Sequence, residues 1–263
     1  MIDNILSKET ISRLLLIAKK AGEIAAESQG GNIIVFKKID NSEVTNIDIE
    51  ISKYISKEIS IITPNIKIVC EENDVRNIDE DIFWLVDPID GTSSFINNED
   101  EFSINIALVK NKKAIFGIIY APKFDGGKLA YIDHENNVIL NERTISKSLS
   151  NKFYERLRIT TSKRTNDQEI KDFVKQHYGN YLNNFSIYKY SASIKFLLLL
   201  ENKVDIFIAL RQTMEWDTAP GQALIEALNK NCNIIFKENK NFIIKEAMLY
   251  KKNNFLNNYF IIK

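Results

Sequence analysis

Two apolar segments of this chain end directly in carboxylates, and this pattern limits the possible folds more than any other feature. Residues 66–69 lead to Glu71 and Glu72, and residues 82–86 lead to Asp87. Short apolar runs bounded by polar residues predict buried strands. A carboxylate at the end of a buried strand is costly unless a cation or hydrogen-bond donors compensate for its charge. We therefore expect a polar site where these strands end.

The residues that follow the second strand, Asp87 to Thr92, have the sequence DPIDGT. Pro88 is expected to turn the chain so that Asp90 returns to the position of Asp87, and Gly91 lets the backbone approach a ligand. A helix beginning at Thr92 would offer free N–H groups to a phosphate. Two converging carboxylates repel each other unless a cation lies between them, and their oxygens suit Mg²⁺. This pattern favours a site for magnesium and phosphate, with an acidic surface turn as the alternative.

A third acid stands at a similar junction later in the chain. Asp217 follows an apolar strand and precedes a helical run over residues 222–228. Pro220 fits the first turn of that helix because its missing N–H would have been unpaired there. The alternative is that Asp217 only caps the helix.

The distribution of charge excludes several classes of partner. The 263 residues contain 35 Lys and Arg against 35 Asp and Glu, a net charge of zero, so a binder of nucleic-acid polymers is not expected. Residues 71–101 nevertheless hold eleven acids and one base, Arg76, a local charge of −10 that suits a cation-binding pocket. The rest of the chain carries +10, which suits small anionic substrates.

Common catalytic and targeting motifs are missing from the sequence. It has no P-loop, dinucleotide-binding, serine-hydrolase or HExxH motif, and His134 and His177 lie far apart. Cys70 and Cys232 cannot form a disulfide framework and indicate a reducing compartment. No leader-like start and no apolar run long enough for a transmembrane segment is present. The expected location is the cytoplasm, with a peripheral position at the inner membrane left open.

Hydrophobic periodicity divides the chain into two parts of different organisation. The predicted helices cover residues 11–26, 45–61, 167–178 and 192–200, with another after Asp217. The predicted strands cover residues 33–36, 66–69, 82–86, 104–109, 114–120, 157–161 and 204–209, with further strands within 128–140. Up to about residue 150 the order is helix, helix and then sheet, whereas the second half alternates as in α/β proteins.

The order of three motifs resembles the metal-site signature of the inositol monophosphatase superfamily. These motifs are Glu71-Glu72, Asp87 to Thr92, and Trp216-Asp217. Within the superfamily, four further segments resemble the bacterial 3'(2'),5'-bisphosphate nucleotidase (CysQ) branch: residues 40–48, 101–108, 117–122 and 193–196. The resemblance implies a mixed α+β and α/β fold, the layered αβαβα sandwich of inositol monophosphatase and fructose-1,6-bisphosphatase. It also implies an N-terminal domain over residues 1–153 and a C-terminal domain over residues 154–263, which supplies Asp217 and contacts that determine specificity.

The resemblance implies a Mg²⁺-dependent, lithium-sensitive hydrolase that removes the 3'-phosphate of adenosine 3',5'-bisphosphate, as a monomer or a homodimer. Two Mg²⁺ ions would be held by Glu71, Asp87, the Ile89 carbonyl, Asp90 and Asp217, with a third ion near Glu71 left open. The implied catalytic residues are Asp48, Thr92 and Glu72, with Thr92 and Asp48 orienting the attacking water. The implied substrate contacts are Glu71, Ile89, Asp90, Gly91, Thr92, Ser193, Lys195 and Asp217. Lys38 could either neutralise phosphate or lie solvated at the surface.

The sequence departs from the nucleotidase branch at positions that bear on the substrate. Ser93-Ser94 drifts toward the inositol phosphatase pattern, and Ala209 stands where the branch carries an Arg that could grip a second phosphate. Arg211 or Arg164 could supply that charge instead. An inositol-1-phosphate or sugar phosphatase is therefore the alternative, and a metal- or nucleotide-binding protein without turnover is a third hypothesis.

Overall fold

The structure of the protein is a computed structural model that describes residues 5–73, 75, 77–146, 155–239 and 241–263. Its helices are α1 (Lys8–Ser28), α2 (Asn46–Ile62), α3 (Thr92–Ile96), α4 (Asp167–His177), α5 (Ile194–Leu200) and α6 (Glu215–Ala227). Its strands up to residue 144 are β1 (Val35–Lys37), β2 (Glu43–Thr45), β3 (Lys67–Cys70), β4 (Ile82–Asp90), β5 (Ser103–Lys110), β6 (Lys113–Ala121), β7 (Lys128–Ile132), β8 (Val138–Leu140) and β9 (Arg143–Thr144). The later strands are β10 (Leu157–Ser162), β11 (Phe185–Tyr190), β12 (Ile206–Ala209), β13 (Cys232–Glu238), β14 (Asn241–Ala247) and β15 (Tyr259–Ile262).

The first large sheet contains β3 to β9 in sequence order. β3 and β4 are parallel, with Cys70 opposite Val86, and each following strand pairs antiparallel with the one before it. β4, β5 and β6 are almost continuously buried because helices cover both faces of the sheet. The two acid-bearing segments are therefore adjacent parallel strands, with β3 at the edge of the sheet, and the sequence predicts both as strands.

The second sheet has the order β11-β10-β12-β15-β13-β14. β10 is parallel to both β11 and β12, and helices lie in the two connections, which is the α/β arrangement predicted for this half. β13, β14 and β15 pair antiparallel and were not predicted, nor were β2 and β11. These strands are short or lie in segments rich in Lys and Asn, so that the alternation of apolar residues is hard to recognise.

The elements stack in five layers. α1 and α2 pack together on one face of the first sheet, and α6 packs on its other face. α6 also contacts β13, while α5 contacts both α6 and β12, so these two helices lie between the sheets. The far face of the second sheet is covered by Ile170, Phe173 and Val174 of α4. The order is therefore αβαβα, which confirms the fold class expected from the sequence.

Several predicted boundaries need correction or cannot be compared. The helix predicted from residue 192 begins at Ile194, because Ala192 has a left-handed φ of 53° that ends the preceding connection. The helix after the third acid already begins at Glu215, so Pro220 lies beyond its first turn. The expected domain boundary between residues 153 and 154 lies outside the described residues, as does Arg76. Across the described ranges, no helix is long and apolar enough to cross a membrane.

Gly117 of β6 allows α6 to lie unusually close to the first sheet. A Cβ atom at Gly117 would be 2.3 Å from the carbonyl oxygen of Pro220 and 2.6 Å from its Cα. Both are backbone atoms, so no side-chain rotation could relieve the clash. The absence of a side chain at this position therefore fixes the distance between α6 and the sheet.

Gly117→Ala should destabilise the protein by about 1–3 kcal/mol, the usual cost of an overpacked interior site. For a chain of this length, this corresponds to a fall in Tm of about 3–10 °C. Thermal unfolding followed by circular dichroism measures the change. Gly179→Ala is the matched control, because no heavy atom lies within 4 Å of its added Cβ. Equal Tm values for the two variants would contradict this account of the packing.

Candidate metal centre

A β-bulge places Asp87 and Asp90 on the same side of β4. Asp87 pairs with Asn105 and Asp90 with Ser103, so three steps along β4 correspond to two steps along β5. In a regular strand, residues three apart point to opposite faces, and one extra residue restores the alignment. Pro88 lies within this irregularity, where a central strand can accept a residue without an N–H. The expected turn at Pro88 is therefore a bulge, and its expected effect on Asp90 is confirmed.

Asp217 reaches the same point from the start of α6. One oxygen from each of Asp87, Asp90 and Asp217 lies within 4.8 Å of the other two. The Oδ2 atom of Asp217 also accepts a hydrogen bond of 2.7 Å from the backbone N–H of Met214. Asp217 therefore helps to cap its helix and also joins the carboxylate cluster, so capping is not its only contact, and its role as a metal ligand stays a prediction.

Glu71 completes an acidic group of four residues. Its backbone N–H donates to the Val86 carbonyl at 3.0 Å, which continues the pairing of β3 and β4 and holds Glu71 beside Asp87. Burial raises the pKa of Asp87 well above its usual range, and the nearby charges of Glu71, Asp90 and Asp217 raise it further. The pKa of Asp217 is raised in the same way, first by burial and then by Asp90 and Glu71.

Hydrogen-bond donors from two other elements orient Asp90. Its Oδ2 atom accepts from Asn105 Nδ2 at 3.0 Å and from Ser193 Oγ at 2.9 Å. Both donors are almost completely buried. Ser193 was expected to contact substrate. In the structure it lies behind Asp90, and its hydroxyl donates a hydrogen bond to the Asp90 carboxylate. Asn105 was not predicted as a site residue, although a polar residue within an apolar strand indicates a buried hydrogen-bonding role.

The predicted contact between Thr92 and Asp48 is present but long. Thr92 Oγ1 lies 3.4 Å from Asp48 Oδ1 and 3.1 Å from the Ile89 carbonyl, and its single proton can serve only one of them at a time. The other Asp48 oxygen accepts from Thr45, both from the backbone N–H at 2.8 Å and from the hydroxyl. Burial raises the pKa of Asp48 despite these hydrogen bonds.

Lys38 lies between the two adjacent glutamates. Its Nζ is 2.7 Å from Glu71 and 2.8 Å from Glu72. Burial alone would lower the pKa of Lys38, but the Glu71 and Glu72 carboxylates raise it overall. Burial and the charge of Glu71 raise the pKa of Glu72 to about 7, although Lys38 opposes the shift. Lys38 therefore lies inside the site, beside the acids, and not solvated at the surface.

Lys195 is buried next to the carboxylates rather than exposed to the cavity mouth. Its side chain is 9% exposed, and Nζ donates to the carbonyls of Tyr190 and Ala192. Burial lowers its pKa, while the charges of Asp90 and Asp217 oppose this shift. It supplies positive charge near the cluster without a direct ion pair to either aspartate among the ion pairs of the described chain.

The cluster forms the floor of a cavity of about 970 Å³ between the two halves of the chain. Gly91 lies in its wall with a left-handed φ of 89°, and a Cβ there would be 2.8 Å from the Glu101 carbonyl. No other residue type fits this position easily. The cavity wall also includes Ser93, Ala209, Arg164 and Arg211. Residues from both sides of the expected domain boundary thus contribute to one cavity.

The residues at the cavity floor have the chemistry of a divalent cation site. Four acidic side chains converge there, three of them within reach of a single ion, and oxygen ligands of this kind are preferred by Mg²⁺. Burial raises the pKa values of the three aspartates, the charges of neighbouring acids raise them further, and a bound cation would remove this repulsion. The donor set therefore fits a hard divalent cation.

Comparison with known proteins gives a consistent set of relatives. A family model for the inositol monophosphatase family matches residues 7–246. A Haemophilus influenzae protein named 3'(2'),5'-bisphosphate nucleotidase CysQ is 29% identical over 226 residues, which cover 84% of this chain and 82% of that protein. A Buchnera aphidicola protein of the same name is 29% identical over 262 residues, covering 97% and 95%. The crystal structure of CysQ from Bacteroides thetaiotaomicron matches with a TM-score of 0.76 at 24% identity, with 98% of each chain covered.

Asp87→Asn should raise the Tm of the metal-free protein, because Asn keeps the acceptor for the Ile89 N–H and removes one of the crowded charges. Each unit of raised pKa corresponds to about 1.4 kcal/mol, or about 3–5 °C for this chain length. Since the native state holds the proton more tightly than the unfolded state, stability falls as pH rises, and the gain should be larger at pH 8 than at pH 5.

Thermal unfolding in EDTA and in MgCl₂ measures both effects. The wild type should gain stability from MgCl₂, and Asp87→Asn should lose most of that gain. Asp172→Asn, at an exposed position on α4, is the matched control and should behave as the wild type. A lower Tm for Asp87→Asn in EDTA would show that the carboxylates do not repel each other as described.

Proposed function

The chain belongs to the inositol monophosphatase family, and on this premise we propose that it is a Mg²⁺-dependent phosphomonoesterase that hydrolyses the 3'-phosphate of adenosine 3',5'-bisphosphate. The observation that carries the proposal is the buried carboxylate cluster at the floor of a cavity whose wall also holds two arginines. The names of the relatives from Haemophilus influenzae and Buchnera aphidicola support the choice of substrate.

In this proposal, two Mg²⁺ ions are held by five groups: Glu71, Asp87, the Ile89 carbonyl, Asp90 and Asp217. When bound, the ions would lower the pKa of water and stabilise negative charge on the attacking and leaving oxygens. A third ion near Glu71 would have to displace Lys38, which already lies within hydrogen-bond distance of Glu71 and Glu72. Sensitivity to lithium is part of the same proposal.

The protein's own residues orient the reactants and handle protons. Thr92 is proposed to orient the attacking water through its hydroxyl, with Asp48 as the acceptor behind it. Glu72 is proposed as the third catalytic residue, a general base or acid next to Glu71 whose carboxylate is held by Lys38 at 2.8 Å. The backbone N–H groups of Gly91 and Thr92 would donate to the phosphate.

The overall reaction is a displacement at phosphorus without a covalent enzyme intermediate. A bond forms between the water oxygen and phosphorus, and the bond from phosphorus to the 3'-oxygen breaks. The leaving oxygen takes up a proton, and the products are adenosine 5'-phosphate and inorganic phosphate. The substrate contacts in this proposal include Glu71, Ile89, Asp90, Gly91, Thr92 and Asp217, whereas Ser193 and Lys195 would act through Asp90 and the local charge.

We also propose a division of roles between residues 1–153 and residues 154–263. The first part would supply most of the metal ligands, and the second would supply Asp217 and the residues that determine specificity. Ser93 and Ala209 lie in the cavity wall and favour the second candidate function, an inositol-1-phosphate or related sugar phosphatase. A protein that binds metal or nucleotide without turnover is the third outcome that an assay can give.

Steady-state phosphate release should give a higher kcat/KM with adenosine 3',5'-bisphosphate than with inositol 1-phosphate at equal MgCl₂. The physical reason is that the second phosphate can use positive charge in the cavity wall that inositol 1-phosphate leaves unused. A higher kcat/KM with inositol 1-phosphate would favour the second candidate function. Mg²⁺-dependent stabilisation without phosphate release from either compound would favour the protein without turnover.

Thr92→Val should lower kcat by about 10²–10⁴-fold, the usual contribution of a group that orients a proton transfer, with KM little changed. Valine keeps the shape and the β-branch of threonine but lacks the hydroxyl. Thr92→Ser restores the hydroxyl and should recover most of the activity. If Thr92→Val and Thr92→Ser had the same kcat as the wild type, Thr92 would have no part in water activation.

A further inference from the structure

A segment between β14 and β15 holds the amino end of α6. It comprises residues 251–257 and is called the clamp segment below. Leu256 forms an isolated antiparallel bridge with Met214, and the ring centres of Phe255 and Trp216 are 5.9 Å apart. The clamp segment therefore runs along the residues that precede and begin α6.

A backbone hydrogen bond from Asn257 leads to the carboxylate of Asp217. The Asn257 N–H donates to the Thr213 carbonyl at 2.9 Å. The N–H of the same peptide unit belongs to Met214 and donates to Asp217 Oδ2 at 2.7 Å. The two hydrogen bonds of one peptide unit strengthen each other, and the unit is planar and rigid. The position of Asn257 therefore sets the direction of the N–H that Asp217 accepts.

The side chain of Asn257 fixes the next peptide unit as well. Its Nδ2 donates to the Met214 carbonyl at 2.7 Å and lies 2.8 Å from Thr218 Oγ1 and 3.1 Å from Thr213 Oγ1. A carbonyl can only accept a hydrogen bond, so the amide nitrogen faces Met214. Asn257 is 2% exposed, and within the described ranges its amide oxygen has no hydrogen-bond partner. Asn257 therefore acts through its donors, the backbone N–H and the side-chain amide.

Glu215 attaches the same turn of α6 to the start of the clamp segment. Its carboxylate is fully buried, which would be costly without partners. It accepts hydrogen bonds from the backbone N–H groups of Lys251 and Lys252 at 2.8 and 2.9 Å, and Lys252 Nζ is 2.7 Å away. The first turn of α6 is therefore joined to the clamp segment at both ends of that segment.

This support matters more for Asp217 than for Asp87 and Asp90. Those two aspartates belong to β4, and its pairing with β5 fixes the backbone that carries them. Asp217 lies in the first turn of a helix, where the N–H groups have no partner within the helix. Residues that orient a metal ligand from behind contribute strongly to metal affinity. For Asp217, the Met214 N–H is such a donor, and Asn257 holds it.

We propose that Asn257 is a positioning residue for the divalent cation site, and that it acts by fixing the peptide unit between Thr213 and Met214, which orients Asp217. This inference rests on the proposed function, because only that proposal makes Asp217 a metal ligand. Asn257 is buried and reaches the cation only through Met214 and Asp217. Its loss should therefore weaken the binding of the cation more than it slows the reaction once the cation is bound.

The first test measures the Kd for MgCl₂ by isothermal titration calorimetry. Asn257→Ala should raise this Kd by about 10–100-fold, the usual effect of losing a group that orients a metal ligand. The MgCl₂ concentration for half-maximal phosphate release should rise in parallel, and kcat at saturating MgCl₂ should change much less. Asn258→Ala, at the next and exposed position, is the matched control and should leave both values unchanged.

The Tm of each variant in EDTA separates positioning from a purely structural role. If Asn257→Ala lowers this Tm but keeps the wild-type Kd for MgCl₂, Asn257 only stabilises the fold and the inference is wrong.

The second test uses the wild type, so it does not depend on the folding of any variant. Amide hydrogen exchange with MgCl₂ should be slower than in EDTA, both in peptides from residues 213–218 and in peptides from residues 251–258. Coupling between two sites is reciprocal, so a cation that fixes Asp217 should also stabilise the clamp segment. Peptides from α4 are the control and should exchange equally in both conditions. Slower exchange in residues 213–218 alone, or equal slowing in α4, would overturn the inference.

The outcomes distinguish this inference from the proposed function. If MgCl₂ binds with a Kd that depends on Asn257 but no phosphate is released, the proposed function fails and the inference stands. If the enzyme is active and Asn257→Ala binds MgCl₂ as the wild type does, the inference is wrong and the function stands. A wild type that neither binds MgCl₂ nor releases phosphate would overturn both.

Discussion

The mutual repulsion of four crowded acids is the constraint on which the rest of this structure depends. Asp87, Asp90, Asp217 and Glu71 come from two adjacent strands and the start of a distant helix. No single element could hold them together, because each side chain would turn away from the others if it were free to do so. Fixed donors such as Asn105 and the Met214 N–H hold the carboxylates in place. The site is therefore a property of the completed fold.

The position of α6 explains how the two halves of the chain share one site. This helix lies between the two sheets, with its backbone close to Gly117 on one side and contacts to β13 on the other. The first turn of α6 places Asp217 next to Asp87 and Asp90 of the first sheet. The connection before α6 places Arg211 in the cavity wall. A main hydrophobic core that extends from α1 to β15 keeps these parts at fixed separations.

The sequence predicted best those site residues whose side chains are unusual for their position in a strand or helix. Asp87 and Asp90 could be predicted to converge, because they follow a buried strand where a free carboxylate would be costly. Asp217 was expected beside them only from the resemblance of Trp216-Asp217 to the family's metal-site motif. The buried helices and central strands were also predictable from periodicity. The role of Ser193 behind Asp90 could not be, because it depends on hydrogen bonds to Asp90 and Asn105, which are 103 and 88 residues earlier in the sequence. The ion pairs of Glu169 with Arg211 and Lys237 likewise join segments that are distant in sequence.

Because of the bulge at Pro88, the number of residues between Asp87 and Asp90 matters as much as their chemical character. One residue fewer in this segment would restore the regular alternation of β4 and direct the second carboxylate into the apolar packing behind the sheet. Side chains between the two acids can therefore vary over evolutionary time more readily than the number of residues. Insertions and deletions should be excluded here, whereas the connections at the far edges of both sheets remain open to changes in length.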